Sequence, residues 1–254
     1  MALLRDLPDN ALRTLAKRVG DKAPEEDNLA LLIRLRASAG DTIGVLVRGK
    51  DLPPEAARAC PSLDFLFYQG DERLLEAPAV AVVGSRTLSP RLRDDGITIG
   101  RALARAGCVV TSGLALGADR AAHEGAMQER PRAVTGVLPE GITVRSAGAG
   151  QEFANEVARS GVLVSQFAPA APAKREHFLA RNEVISAFSR ASVIVAAAAR
   201  SGTRNEIRHA LRQGRRVLLW ERGTAGQPWA QDLVRREEAS FVSNIEEMLE
   251  LLHE

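Results

Sequence analysis

The chain has 254 residues, 45% hydrophobic and 26% charged, which bounds it to an ordinary globular protein of one large domain, or one domain with a small appendage. Its 34 basic and 32 acidic side chains leave a formal charge of +2, which excludes a global field that recruits polyanions, so any nucleic-acid site must be a local cluster. Two cysteines (Cys60, Cys108), four histidines without ligand spacing and no apolar run of transmembrane or signal-peptide form exclude a disulfide framework and a metal motif, and lead us to expect a cytoplasmic protein with no metal, no cofactor and no membrane contact.

In chain order, residues 1–50 read as a small helical region, with amphipathic helices over Asp9–Val19 and Glu25–Ala39 whose apolar faces include Leu12, Leu15, Leu29, Leu32 and Leu35. Residues 51–78 read as a proline-rich connector that includes Phe65-Leu66-Phe67-Tyr68. From Ala79 strands and helices alternate. Strands are expected at 79–83, 108–111, 133–138, 162–165, 192–197 and 216–219, and helices at 89–106, 118–128, 150–159, 179–190 and 204–213. A terminal helix is expected over Asn244–His253. The alternation predicts an α/β fold: a doubly wound, mostly parallel, Rossmann-like sheet over residues 51–254.

Three of the predicted strand-to-helix turns share a composition. The first strand ends in Gly84-Ser85-Arg86, the second in Ser112-Gly113 with Gly117 and Asp119 following, and a later one in Arg200-Ser201-Gly202-Thr203. In a parallel sheet such turns lie along the carboxyl edge, where ligands bind, and the helix N-termini beyond them favour anions. Glycine lets a backbone approach closely, serine and threonine supply hydroxyls, and arginine supplies a forked cation suited to phosphate. Asp119 either caps the first turn of its helix or holds a ligand hydroxyl.

These motifs, in this order, resemble the DprA/Smf family of DNA-processing proteins of bacterial transformation. The resemblance is carried by Pro61-Ser62-Leu63-Asp64-Phe65-Leu66-Phe67-Tyr68-Gln69-Gly70-Asp71, by the three turns above, by Phe178 with Arg181-Asn182 and Ile185, and by Gln213-Gly214-Arg215. It implies a homodimeric Rossmann-like domain that binds single-stranded DNA in a basic pocket and loads a RecA-type recombinase. Carried onto this sequence, it implies phosphate or nucleic-acid contacts from Gly84, Ser85, Arg86, Ser112, Gly113, Lys174, Arg175, Arg181, Asn182, Ser201, Gly202 and Thr203, with no catalytic residue. The chain departs from the pattern at Leu116 and Glu183, where the family usually has cations, at Ala196-Ala197, where it commonly has Glu-Ala, and at Leu179, where it commonly has proline.

A second resemblance competes. Gly202-Thr203-Arg204-Asn205-Glu206 is similar to the Gly-Thr-x-x-Glu loop of the LOG family, nucleoside-monophosphate phosphoribohydrolases on a related fold, although Arg200-Ser201 stands where that family has paired glycines. It implies a nucleotide ligand, with Glu206 assisting departure of the base and Arg181 orienting the substrate. The alternatives are a first-turn glutamate favoured by the helix dipole, and a non-catalytic sensor of a nucleotide signal.

Overall fold

The computed structural model describes residues 2–19, 25–37, 43–144 and 149–253. The first half of the chain forms β1 (Ala2–Leu3), α1 (Asp9–Arg18), α2 (Glu25–Ala37), β2 (Ile43–Val47), α3 (Pro54–Ala59), β3 (Phe65–Gly70), β4 (Ala79–Val83), α4 (Pro90–Arg105), β5 (Val109–Ser112) and α5 (Ala118–Glu129). The second half forms β6 (Val134–Val137), α6 (Ala149–Ser160), β7 (Val162–Ser165), α7 (Arg175–Ala187), β8 (Ala191–Ile194), α8 (Thr203–Arg212), β9 (Arg216–Trp220), α9 (Glu221–Thr224), α10 (Pro228–Arg235), β10 (Ser240–Val242) and α11 (Ile245–His253).

All the described strands join one sheet in the order β1-β2-β3-β7-β6-β5-β4-β8-β9-β10. The run from β7 to β10 is parallel, while β3, β2 and β1 are added antiparallel at one edge. The central strands are buried on both faces, which is why they read as continuous apolar runs rather than as alternations. Within β4, Val80 and Val82 join one core while Ala81 and Val83 join the other. The first core also takes Leu12 of α1, Leu32 of α2, Ile99 of α4, Ala122 of α5, Phe153 of α6 and Met248 of α11. The second takes Val184 of α7, Ile207 of α8 and Ala230 of α10. The doubly wound, mostly parallel architecture expected from the alternation is the one observed.

Two helices that leave the carboxyl edge are locked together by missing side chains. A Cβ on Gly100 of α4 would lie 2.0 Å from the Ala122 carbonyl oxygen of α5, and one on Gly125 of α5 would lie 2.0 Å from that of Ile97. The backbones therefore touch directly, and the turns that open α4 and α5 are held in one register. Ser89 caps α4 by accepting from the Leu92 amide, and Pro90 occupies its first turn, where the missing N–H is not needed.

Some expectations are corrected. Residues 51–78 are not a bare connector: they carry α3 and β3, and β3 bridges β2 to β7. Three strands (β1, β2, β10) and two helices (α9, α10) lie where none was expected. The α7 helix starts at Arg175, four residues before the expected start, and β8 ends at Ile194, before the expected Ala197. The end of the helix expected to reach Ala39 and the break between the first two helices fall outside the described residues. Cys60 and Cys108 are both free and buried.

Candidate nucleic-acid interface

The three glycine-bearing turns follow β5, β4 and β8, which are neighbours in the sheet and run the same way. Helices α4 and α5 share one core and α7 and α8 the other, so β4 marks the crevice between the two layers at the carboxyl edge. The turns are bonded to each other. The Ser85 amide donates to the Ala196 carbonyl at 2.8 Å, and the Ala118 amide donates to the Ser85 carbonyl at 3.1 Å. Gly117 lies at φ +84°, where a Cβ would meet the Ser85 carbonyl oxygen at 2.2 Å, and a Cβ on Gly84 would meet that of Ala118 at 2.7 Å. Only glycine lets these turns nest so closely.

Between them lies a pocket of about 270 Å³, lined by Gly84, Ser85, Arg86, Ala115, Asp119, Phe178, Leu179, Arg181, Asn182, Ser201, Gly202, Thr203 and Glu206, among others. Its floor is charged and buried. Arg181, Asp119 and Glu206 are only 5%, 4% and 1% exposed. The Arg181 Nη1 lies 3.9 Å from Asp119 Oδ2, and that same oxygen accepts from the Gly113 amide at 3.1 Å. A Cβ on Gly113 would fall 1.1 Å from Arg181 Nη1, so Gly113 serves as the shelf on which the guanidinium rests. Glu206 accepts from the Ser192 hydroxyl at 2.6 Å through Oε1.

Burial governs the ionisation here. It pushes the Asp119 carboxyl up against the opposing pull of Arg181, and it pushes Glu206 up to about 7. Burial also lowers Arg181, opposed by Asp119, but a guanidinium stays charged. Three polar atoms of the lining, Arg181 Nε, Ser201 Oγ and Glu206 Oε2, are buried without a hydrogen-bond partner among the described residues. Such groups are ordinarily satisfied, so these three are available to bond water or a polar molecule that enters the pocket. At the mouth, exposed Arg86 lies over the Phe178 ring, 5.6 Å from its centroid. Leu116 and Leu179, 63% and 46% exposed, add apolar surface nearby.

Of the residues singled out in the sequence, Gly84, Ser85, Arg86, Arg181, Asn182, Ser201, Gly202, Thr203 and Glu206 come together in this pocket. Others are used differently. The Ser112 hydroxyl donates to the Val82 carbonyl at 2.5 Å and ties β5 to β4. The Ser85 hydroxyl is turned into its own loop, donating to the Thr87 carbonyl at 2.8 Å. Asn182 donates to the Gly202 carbonyl at 3.2 Å, pinning α7 to the turn before α8. Lys174 and Arg175 do not line the pocket. Because α7 begins at Arg175, both sit exposed at its outer end, and Lys174 borders a separate groove with Arg18, Gln166 and His177. Glu183 also faces away, into a groove with Glu55, Arg58, His209 and Arg212. Asp119, weighed as a cap or a hydroxyl ligand, lines the pocket and braces Gly113 and Arg181, and its helix has no side-chain cap. An acidic residue just past a glycine turn was visible in the sequence; its arginine partner, 62 positions away, was not.

Residues 41–253 match the DNA recombination-mediator protein A family. The chain belongs to that family. Protein Smf of Escherichia coli (strain K12) is 33% identical over 206 residues, covering 79% of this chain and 54% of that protein. DNA processing protein A from Streptococcus pneumoniae superposes with a TM-score of 0.75 at 25% identity, over 94% of this chain and 85% of that one. DNA processing protein A from Helicobacter pylori, a structure described for its single-stranded DNA binding mode, superposes with a TM-score of 0.74 at 25% identity, over 84% of this chain and 96% of that one. The chain spans about half the length of the curated relatives it matches. Among the described residues no helix of this DprA family member is long and apolar enough to cross a membrane.

Proposed function

We propose that the protein binds single-stranded DNA through the pocket at the carboxyl edge of its sheet, as a DNA-processing protein of the DprA type. The observation that carries this reading is the convergence of three nested turns on one pocket that holds a buried arginine at its floor and an exposed arginine over an aromatic ring at its mouth. Arg86 and Arg181 neutralise phosphate, and the positive end of the α8 dipole, which opens on the pocket at Gly202-Thr203, favours its charge. The binding needs no base readout and no bond cleavage. The single-stranded DNA binding mode described for the H. pylori relative supports the same ligand. A homodimer and a RecA-type recombinase partner belong to this reading. Light scattering of the purified chain tests the first, and recombinase loading onto protein-coated DNA tests the second.

The deciding experiment is fluorescence anisotropy of a labelled oligothymidylate across a salt series, with duplex DNA and mononucleotides as competitors. Binding that weakens with a log–log slope of about −0.7 per phosphate held, and that Arg86→Ala reduces by about ten-fold or more, is the expected result. Absence of binding at low salt overturns the reading.

One observation favours a second reading. Glu206 combines a carboxyl near 7 with an unpartnered oxygen in a pocket built for phosphate, which is the equipment of a general acid for release of a base from a nucleotide. Incubation with nucleoside monophosphates tests it: free base released by the parent and lost in Glu206→Gln establishes the hydrolase, and no release excludes it.

A further inference from the structure

Arginines recur at every fourth position from the pocket turn along α8: Arg200, Arg204, Arg208 and Arg212. On a helix, members of such a row are about 6 Å apart along the axis and turned by about 40°, so Arg204, Arg208 and Arg212 share one flank. The opposite face, with Thr203, Glu206, Ile207 and Ala210, is buried. Arg200, Arg208 and Arg212 are exposed, and none forms an ion pair among the described residues. Arg204 is half-buried and lies over the Trp229 ring, 4.6 Å from its centroid, which fixes it in place.

The helix accounts for only one member of this row. Cations four residues apart repel, and the dipole favours Arg212 in the last turn but disfavours Arg200 and Arg204 at the N-terminus. Burial first and Arg208 second lower Arg204, and burial lowers His209, opposed by Glu183 and helped by Arg212 and Arg208. The row starts at Ser201-Gly202-Thr203 on the rim of the pocket and ends at Arg212, in a groove where Glu55 and Glu183 supply opposing charge. Glu55 is itself held by Arg215 at 2.7 Å.

We propose that Arg204, Arg208 and Arg212 form a phosphate track that carries a single nucleic-acid strand out of the pocket along α8. This rests on the single-stranded DNA reading of the pocket and adds to it a direction and a length. An evenly spaced row of guanidinium groups that opens beside the Gly202-Thr203 rim of the pocket, with Arg208 exposed and outside any ion pair among the described residues, is complementary to an evenly charged backbone. The track is indifferent to base sequence, because it touches only phosphates.

The test compares the parent with Arg208→Ala/Arg212→Ala and Arg208→Lys/Arg212→Lys on two probes, an oligothymidylate of about four nucleotides and one of about 20. The alanine pair weakens the long probe by about ten-fold at low salt and flattens its salt slope by about 1.4, while the short probe is unchanged. The lysine pair keeps the slope, because counterion release follows charge. Equal loss on both probes, or an unchanged long probe in the alanine pair, overturns the track while leaving the pocket reading intact. Failure of the parent to bind either probe overturns both. A recombinase or other acidic protein that loses binding in the alanine pair, with the long probe unaffected, assigns the row to that partner instead.

Discussion

Gly113 and Arg181 show how one missing side chain sets the charge of the site. The guanidinium occupies the space where a Cβ at Gly113 would stand, so Gly113→Ala must displace Arg181, Asp119 or the turn between them. We expect this substitution to weaken oligonucleotide binding about as much as Arg181→Ala, by ten-fold or more, and to lower stability by about 1–3 kcal/mol; anisotropy and thermal unfolding read the two effects. The buried acid beside them makes stability depend on pH. Glu206 rises from an ordinary 4.5 to about 7, so the folded chain holds a proton that the unfolded chain releases in between, and that stabilisation is lost as pH climbs through 7. Glu206→Gln is therefore expected to raise the melting temperature by several degrees at about pH 8, with most of the difference gone at about pH 5. A larger effect at the lower pH would contradict this. His123 acts with the opposite sign. Burial lowers it from 6.5 to about 4, so its contribution is intact above 6.5 and is lost as pH falls toward 4. The His123 ring proton resonances should keep their neutral positions down to about pH 5.

At the scale of elements, α4 and α5 position the first two turns through glycines rather than through interlocking side chains. Gly125→Ala forces the helices apart at the Ile97 carbonyl, with an expected loss of about 1–3 kcal/mol in denaturant unfolding and a weaker pocket, because the turns share that register. The central elements were legible in the sequence because their signals are local. Strands buried on both faces read as apolar runs such as Ala79–Val83, and the helix after Ser89-Pro90 announces its own cap. The antiparallel edge was not legible. Phe65–Gly70 has the residues of a strand but sits among prolines, and its partners come from β2 and from the distant β7, a pairing no local pattern encodes. Gly44, opposite Tyr68, was equally silent: a Cβ there would lie 2.0 Å from the tyrosine ring, so this strand glycine makes room for an aromatic neighbour. The same distinction runs through the site. Gly84, Arg86 and Gly202 share one pocket because each marks a turn at the carboxyl edge, whereas the sequence gives the neighbours of Lys174, Arg175 and Glu183 and not the side of α7 on which they fall.

For the molecule as a whole, near-neutrality leaves no global field for a polyanion, and several arginines join one element to another. The exposed Arg105–Glu129 pair, at 2.9 Å and 3.0 Å, joins α4 to α5 far from the pocket. Arg105→Ala should leave oligonucleotide affinity within about two-fold and stability within about 0.5–1 kcal/mol of the parent, a control against which losses at Arg86 are judged. The sheet order has one more consequence, for synthesis. Phe67 pairs with Ser165, a residue that leaves the ribosome roughly a hundred positions later. Until then the β2–β3 hairpin, with Leu66, Phe67 and Tyr68 all destined for the interior, has one bare long edge and no partner for it. The nascent chain therefore carries an adhesive β edge over a stretch of synthesis longer than a third of its length, which makes early chain segments, rather than the finished protein, the form most dependent on chaperones.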